Sequence, residues 1–172
     1  MTHVTNFKQP RSRKVDRFYK RLDLKRAEDR NKAEVRRRDK RCRMPLCGCK
    51  KMAIRAEVSH AIHKGMGGNP AGDRSAPELM MLLCACRHKE NAVSIDRGTL
   101  KWVPLTADGA NGPVAWYISA SVIPEARSLG PDARLRLDWD FYNVARERSV
   151  GVLEPLDAVQ RVLLGLLAEM RL

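Results

Sequence analysis

Five cysteines fall into two short groups, and this grouping constrains the fold more than any other feature of the sequence. The first group is Cys42, Cys47 and Cys49, and the second, a few dozen residues later, is Cys84 and Cys86. An odd number of cysteines, in a chain whose start lacks the pattern of a secretory signal, does not indicate a disulfide framework. Two knuckle-like groups instead indicate a metal site or its remnant.

The excess positive charge lies entirely in the N-terminal part of the chain. Residues 1–51 contain nineteen Lys or Arg against six Asp or Glu, whereas the remaining 121 residues contain fourteen of each. Such asymmetry is typical of a nucleic-acid binder, because each cation placed on a phosphate releases counterions. A basic segment alone does not separate DNA from RNA or an acidic lipid surface, and a solvated tail is the alternative.

The basic segment divides into an arm and a helix. Residues 1–15 include Pro10 and show no apolar period, so we expect a basic arm without regular structure. Residues 16–40 contain neither Gly nor Pro and are rich in helix formers, which predicts a long basic helix. Its apolar positions are few, so opposite charges at helical spacing are expected to stabilise it.

The middle of the chain predicts a strand, a loop and a helix, in that order. Residues 52–60 alternate as a short strand, and residues 64–76 form a glycine-rich loop. Pro77 suits the first turn of a helix that we expect to run to about Asn91.

The C-terminal part predicts mixed elements. We expect a hairpin around Arg97-Gly98, a turn at Asn111-Gly112-Pro113 followed by a strand over 114–120, and short helices over 138–148 and 155–172. Apolar residues at helical spacing in the last helix indicate a packing face, against the domain or a second copy of the chain: Leu156, Val159, Leu163, Leu164, Leu167 and Met170. The longest apolar run, 79–86, is far shorter than the roughly 18 residues of a membrane span. We therefore expect a cytoplasmic protein with no membrane partner.

Two separated motifs resemble the HNH (ββα-metal) endonuclease family. They are Glu57-Val58-Ser59-His60 at the strand end and Leu82-Leu83-Cys84-Ala85-Cys86-Arg87-His88 after the glycine loop. The loop itself, with His63-Lys64-Gly65-Met66-Gly67-Gly68-Asn69-Pro70 and Asp73-Arg74-Ser75, is similar to that of small phage-encoded members, as are residues 95–100 and 104–106. The resemblance covers roughly residues 42–117.

The resemblance implies an α+β fold in three parts. The finger would be a ββα-metal unit over 42–106, preceded by the basic arm and helix (1–41) and followed by an α/β C-terminal extension (107–172) that includes an amphipathic helix. It also implies a metal-dependent DNA endonuclease that hydrolyses phosphodiester bonds around one Mg²⁺ or Mn²⁺ ion. A phage-encoded protein of this kind would act in the cytoplasm of the bacterial host, and the last helix could form a homodimer.

The resemblance also assigns roles to individual residues. His60 would be the general base and His88, on the helix, a metal ligand. Ser59 holds the position of a second ligand, which a serine hydroxyl supplies poorly; Asn69, Asp73 or His63 in the loop could replace it, and Asp73 is the preferred substitute. Further cations are expected to contact DNA phosphates: Arg74, Arg87 and Lys89 near the metal, and Arg36, Arg37 and Arg38 on the basic helix.

Two departures from the family pattern keep a second reading open. Ser59 replaces the usual acid or histidine before the base, and Leu79 stands where the family commonly has asparagine. Leucine can neither orient a base nor bind a metal. The alternative is therefore a non-catalytic nucleic-acid-binding module with a degenerate finger.

Many family members also carry a structural zinc held by two pairs of ligands. Here Cys42 and Cys47 match the first pair and Cys84 the third ligand, whereas the fourth position is Arg87, which cannot bind zinc. Either Cys86 or Cys49 completes a thiolate site, or the site has been lost.

Overall fold

The computed structural model describes residues 13–45, 47, 56–61, 76–123 and 141–169, and residues 167–169 are described by their backbone only. Two helices and six strands make up these segments: α1 (Arg13–Asp39), β1 (Ala56–His60), β2 (Met80–Cys84), β3 (Leu100–Pro104), β4 (Val114–Ser119), β5 (Phe141–Ser149), β6 (Val152–Leu153) and α2 (Ala158–Glu169). Helices combine with antiparallel sheets, which confirms the α+β class. Residues 1–12 of the basic arm, residues 64–75 of the glycine-rich loop and residues 124–140 lie outside the described residues, whereas residues 13–15, predicted to belong to the arm, begin α1.

Helix α1 confirms the long basic helix of the sequence prediction. Its 27 residues span about 40 Å at 1.5 Å per residue. Ion pairs at helical spacing support it, with 2.6 Å between Lys32 Nζ and Glu28 Oε1 and 3.8 Å between Arg26 and Asp23. Val35 is its one buried residue. The helix therefore contacts the rest of the chain mainly through its C-terminal half.

Strands β1 and β2 form a two-stranded antiparallel hairpin whose two faces differ. Ala56 pairs with Cys84 at one end and His60 with Met80 at the other. Because side chains alternate along a strand, Ala56, Val58, Met80 and Leu82 share one face, which packs against Val35 of α1. Met81 and Leu83 lie on the other face and join the main core.

The predicted helix over 77–91 is wrong for most of its length. Pro77–Leu79 is a single 3₁₀ turn, Met80–Cys84 is strand β2, and only Cys86–Glu90 forms a wide helical turn. All five residues of β2 are buried, because both faces of the hairpin are covered. A short unbroken apolar run of this kind has no period that separates strand from helix. The resulting order is strand, strand and helical turn.

The C-terminal part is built on a four-stranded antiparallel sheet in the order β3-β4-β5-β6. The helix predicted over 138–148 is wrong, because β5 lies between β4 and β6 and gives its backbone groups to both neighbours. The hairpin predicted around Arg97-Gly98 is also wrong in its pairing. Gly98 occupies a tight turn with φ of +69°, but β3 after it pairs with β4 rather than with residues before the turn.

Helix α2 packs on its own sheet. Leu163 is fully buried in the main core, Val159 and Leu164 are half-buried against it, and Gln160 Nε2 donates a 3.1 Å hydrogen bond to Asn143 of β5. The sequence left open whether these residues pack against the domain or against a second copy of the chain, and in the structure they pack against the domain. The main core joins Met44, Met81 and Leu83 to Trp102 and Trp116, so the predicted finger and C-terminal extension share it.

A buried ion pair fastens the end of α1 to the sheet. Arg43 Nη2 lies 2.8 Å from Glu147 Oε2 of β5, and the Arg43 guanidinium also donates to the carbonyl oxygens of Ala110 and Gly112. The Asp39 carboxylate accepts a 2.8 Å bond from the Leu82 amide of β2. Within the described segments, no helix is long and apolar enough to cross a membrane.

Candidate functional site

Four thiols converge at the end of β2, and we call them the thiol cluster: Cys42, Cys47, Cys84 and Cys86. Cys84 ends β2, and Cys86 begins the helical turn that follows. The segment after α1 brings Cys42 and Cys47 to them, because the Arg43 amide donates a 2.9 Å hydrogen bond to the Leu82 carbonyl of β2. The Cys47 sulfur lies 3.0 Å from that of Cys84 and 3.8 Å from that of Cys86.

The thiol cluster has the donor set and spacing of a metal site. The ligand atoms of Cys42, Cys47 and Cys84 all lie within 4.8 Å of one another, so these three residues could hold a metal ion such as zinc. Four sulfurs bound to one zinc at about 2.3 Å lie roughly 3.8 Å apart, close to the separation of Cys47 and Cys86. Cys49, the other sequence candidate for the fourth ligand, lies outside the described residues.

Crowding makes these thiols poor acids in the absence of a cation. The hydrogen bond with Cys47, together with burial, raises the pKa of Cys42 to about 12. Hydrogen bonds with Cys42 and Cys47, followed by burial, raise the pKa of Cys84 well above the ordinary thiol range. Several thiolates cannot share a half-buried space unless a cation neutralises them, and zinc binding deprotonates coordinating thiols.

A second polar group lies beside the thiol cluster, and we call it the histidine group: Glu57, His88 and Asp96. His88 Nδ1 is 2.7 Å from Glu57 Oε2, and His88 Nε2 is 3.5 Å from Asp96 Oδ1. Both ring nitrogens therefore face a carboxylate oxygen, Nδ1 at hydrogen-bonding distance and Nε2 at a longer distance. The backbone holds Asp96 in place, because its amide donates a 2.9 Å bond to the His88 carbonyl.

The histidine group faces solvent. The His88 side chain is 19 % exposed, that of Glu57 36 % and that of Asp96 41 %. Lys89 Nζ lies 2.8 Å from Glu57 Oε1, and hydrogen bonds from Lys89 and then His88 lower the pKa of Glu57. The carboxylate therefore stays ionised and keeps the imidazole oriented. This is the arrangement of a metal-binding histidine whose other nitrogen is held by a carboxylate.

The structure does not bring His60 and His88 together. His60 shares the α1-facing side of β1 with Ala56 and Val58, and its Nε2 lies 3.8 Å from Glu28 of α1. Glu57 lies on the opposite face, so His88 does too. Ser59, the predicted ligand next to His60, is fully buried on this second face, with its hydroxyl paired to no described group.

The residues predicted to contact DNA phosphates fall into exposed ones and ones that are buried or bound within the protein. Arg36 and Arg37 are exposed on α1, as is Lys89 on the helical turn. Arg38 instead binds Asp39, the carbonyls of Pro77 and Met80, and Asn111, so it fastens α1 to the body. Arg87 is only 4 % exposed, and burial of this kind does not suit a phosphate contact. Asn69, Asp73 and Arg74 lie outside the described residues.

Sequence reasoning did not assign roles to Glu57 and Asp96. A signal for Glu57 was present, since it precedes Ser59 by two residues and so shares its face of β1. Asp96 gave no such signal, because the turn that carries it reaches His88 only through tertiary backbone hydrogen bonds. Leu79, in the position of the family's asparagine, sits in the 3₁₀ turn and accepts the Ala61 amide through its carbonyl.

Comparison of the chain with protein-family models, with curated proteins and with solved structures gives no match.

Proposed function

We propose that this protein is a metal-dependent DNA endonuclease whose active centre is the histidine group. The observation that carries the proposal is the partly exposed His88, whose Nδ1 lies 2.7 Å from Glu57 Oε2 and whose Nε2 lies 3.5 Å from Asp96 Oδ1. Glu57 lies on the hairpin, His88 on the helical turn that follows it, and Asp96 in the next turn; a hairpin followed by a helix is what the HNH resemblance implies. The basic helix α1 supplies the charge that a polyanionic substrate requires.

One divalent ion of the Mg²⁺ or Mn²⁺ type fits the solvent side of the histidine group. His88 Nε2 and the Asp96 carboxylate would hold it, and water and phosphate oxygens would complete its shell, as hard cations prefer. Such an ion stabilises charge on the phosphate and on the departing oxygen during phosphodiester hydrolysis. Glu57 fixes the tautomer and orientation of His88, and Lys89 keeps Glu57 ionised.

The thiol cluster has a separate role in this proposal. Zinc bound to Cys42, Cys47, Cys84 and Cys86 would join the end of α1 to the β1–β2 hairpin, which places the basic helix and the histidine group in one rigid frame. The zinc would thus be structural, because four thiolates leave no open position for substrate.

The experiment that tests the proposal is plasmid nicking by the purified full chain with Mg²⁺, Mn²⁺ or EDTA. We expect metal-dependent cleavage that His88→Ala abolishes, with zinc content and thermal stability unchanged. His60→Ala is the matched comparison, because the resemblance makes His60 the general base. Loss of cleavage in both variants supports a catalytic role for each histidine. Full activity of His88→Ala would overturn the assignment of the centre.

A second candidate function is a non-catalytic nucleic-acid-binding module. Two observations favour it: His60 and His88 lie on opposite faces of the hairpin, and the Ser59 hydroxyl is fully buried. This candidate predicts salt-sensitive DNA binding without cleavage by any divalent ion. Binding measured by fluorescence anisotropy on the same preparations separates the two functions directly.

A further inference from the structure

One face of α1 docks on the β1–β2 hairpin, and its contacts define its direction. Val35 is fully buried against the hairpin, and Arg38 donates hydrogen bonds to the carbonyls of Pro77 and Met80. Nearer the N-terminus, the partly exposed Glu28 carboxylate lies 3.8 Å from His60. Leu24, one turn further, is 46 % exposed. On this face of α1, contact with the described part of the hairpin therefore ends near Glu28, and the residues before it are exposed.

The continuation of this face is strongly basic. Arg17 and Lys20 precede Val35 and Arg38 by 18 residues, which is five turns of 3.6 residues. Arg21 and Arg13 precede Val35 by roughly four and six turns. We call these four residues the basic face: Arg13, Arg17, Lys20 and Arg21. All four are exposed.

The opposite side of the same helical segment is apolar. Val15, Phe18 and Leu22 follow one another at spacings of three and four residues, and Tyr19 flanks them. Phe18 is 62 % exposed and meets Tyr19 edge to face. Lys14 lies at the border between the two sides. In the N-terminal half of α1, therefore, most of the positive charge lies on the face that continues the docked face.

We propose that duplex DNA lies along the basic face, with its phosphates bound by Arg13, Arg17, Lys20 and Arg21. The inference rests on the proposed function and deepens it, because it names the surface that receives the substrate. Four cations over about 12 Å of helix complement a phosphate backbone. The same face reaches His60 at the end of β1, whereas the histidine group lies on the other face of the hairpin, so the proposal concerns where DNA is bound and not which bond is cut.

The chain offers a matched control on the other side of α1. Lys25, Arg26 and Arg30 are two arginines and one lysine, all exposed, that lie away from the docked face, and they match Arg17, Lys20 and Arg21 of the basic face in number and type. Replacing either set by glutamine removes the same charge and keeps good helix formers. Only the position of the charges then differs. Far-UV circular dichroism verifies that both variants keep the helix.

The measurement is binding of the full chain to a short fluorescent duplex between about 50 and 200 mM salt. Substituting Arg17, Lys20 and Arg21 together should weaken binding at least tenfold and reduce the slope of log K against log salt by up to about 2.7, since each phosphate contact contributes about 0.9. Substituting the control set should change affinity less than about threefold, because bulk charge alone is screened. The single variants Arg17→Gln and Arg30→Gln repeat the comparison at one position each.

Equal weakening by both sets would overturn the inference, because net charge and not the basic face would then drive binding. Tighter binding to vesicles containing phosphatidylserine than to DNA, lost on Phe18→Ala, would also overturn it in favour of a membrane surface. If the wild type cleaves DNA and the two sets of substitutions reduce cleavage equally, the proposed function stands and the inference about the basic face fails. A wild type that neither cleaves nor binds DNA removes both.

Discussion

The thiol cluster and the histidine group lie at the same end of the β1–β2 hairpin, yet their surroundings differ. Cys84 is fully buried, and Cys42 and Cys47 pack against the main core, where crowding holds thiol pKa values high. Glu57, His88 and Asp96 keep part of their surface in solvent. Two neighbouring polar groups on one hairpin therefore differ in burial and in access to solvent. One group is placed to hold segments together, and the other is open to a ligand.

The largest expected effect is loss of the fold when the thiol cluster is broken. Cys84→Ser should abolish the cooperative thermal transition, because bound zinc contributes folding free energy directly and a buried hydroxyl cannot replace the thiolate. The measurement is calorimetry together with zinc content, with EDTA treatment of the wild type as the equivalent chemical test. An unchanged transition in zinc-free protein would assign the cluster to packing alone.

The identity of the fourth ligand sharpens this prediction. Cys86→Ser should lower the zinc content and the melting temperature, since the Cys86 sulfur lies 3.8 Å from that of Cys47. Cys49→Ser is the matched control and should retain one zinc per chain. The reverse result would give the fourth position to Cys49.

A somewhat smaller effect is expected from the buried ion pair that holds α1 to the sheet. Arg43→Met should lower the free energy of unfolding by about 3–5 kcal/mol, because it leaves the Glu147 charge buried without its partner. Denaturant unfolding measures the change. Arg41→Met, at an exposed position next to it, should remain within about 0.5 kcal/mol of the wild type. A similar small change in Arg43→Met would show that solvent reaches Glu147.

Glu57→Gln should reduce function without reducing stability much. The amide can still meet His88, but it no longer fixes the imidazole by charge, so divalent-metal affinity or cleavage should fall about 10- to 100-fold. Metal titration of nicking rates measures the loss, and Glu90→Gln on the same helical turn is the control. A melting temperature that falls as far as that of Cys84→Ser would erase the distinction between the two groups.

The smallest effect concerns pH. Lys89 and His88 lower the pKa of Glu57, so the folded state favours the ionised carboxylate. The resulting stabilisation is complete above the ordinary glutamate pKa of 4.5 and is lost as pH falls through the lower folded value. Glu57→Gln should therefore flatten the acid limb of the stability curve, within about 1 kcal/mol because the pair is exposed. Parallel curves for the two proteins would contradict this contribution.

Prediction from the sequence succeeded where local signals were strong and failed where a partner decided the outcome. Helix α1, the strand that ends at His60 and helix α2 follow from helix formers, alternation and apolar spacing. The apolar run Met80–Cys84 has no hydrophobic period, and residues 141–149 have only a weak one. Pairing with neighbouring strands therefore determined that both segments are strands. The two cysteine groups in the sequence indicated the thiol cluster. The separation of His60 from His88 depends on the strand register and could not be anticipated from motif spacing.

The sequence by itself determined the asymmetry of charge, the long basic helix, the grouping of the cysteines and the α+β class. Each of these depends on residue types within short windows, whose physical preferences act locally. Only the tertiary structure decided that His88 is held between Glu57 and Asp96, that Ser59 and Arg87 are buried, and that Arg38 is a fastening residue rather than an exposed cation. A side chain's environment is set by which face of a strand or helix the core covers, and this covering comes from residues far away along the chain.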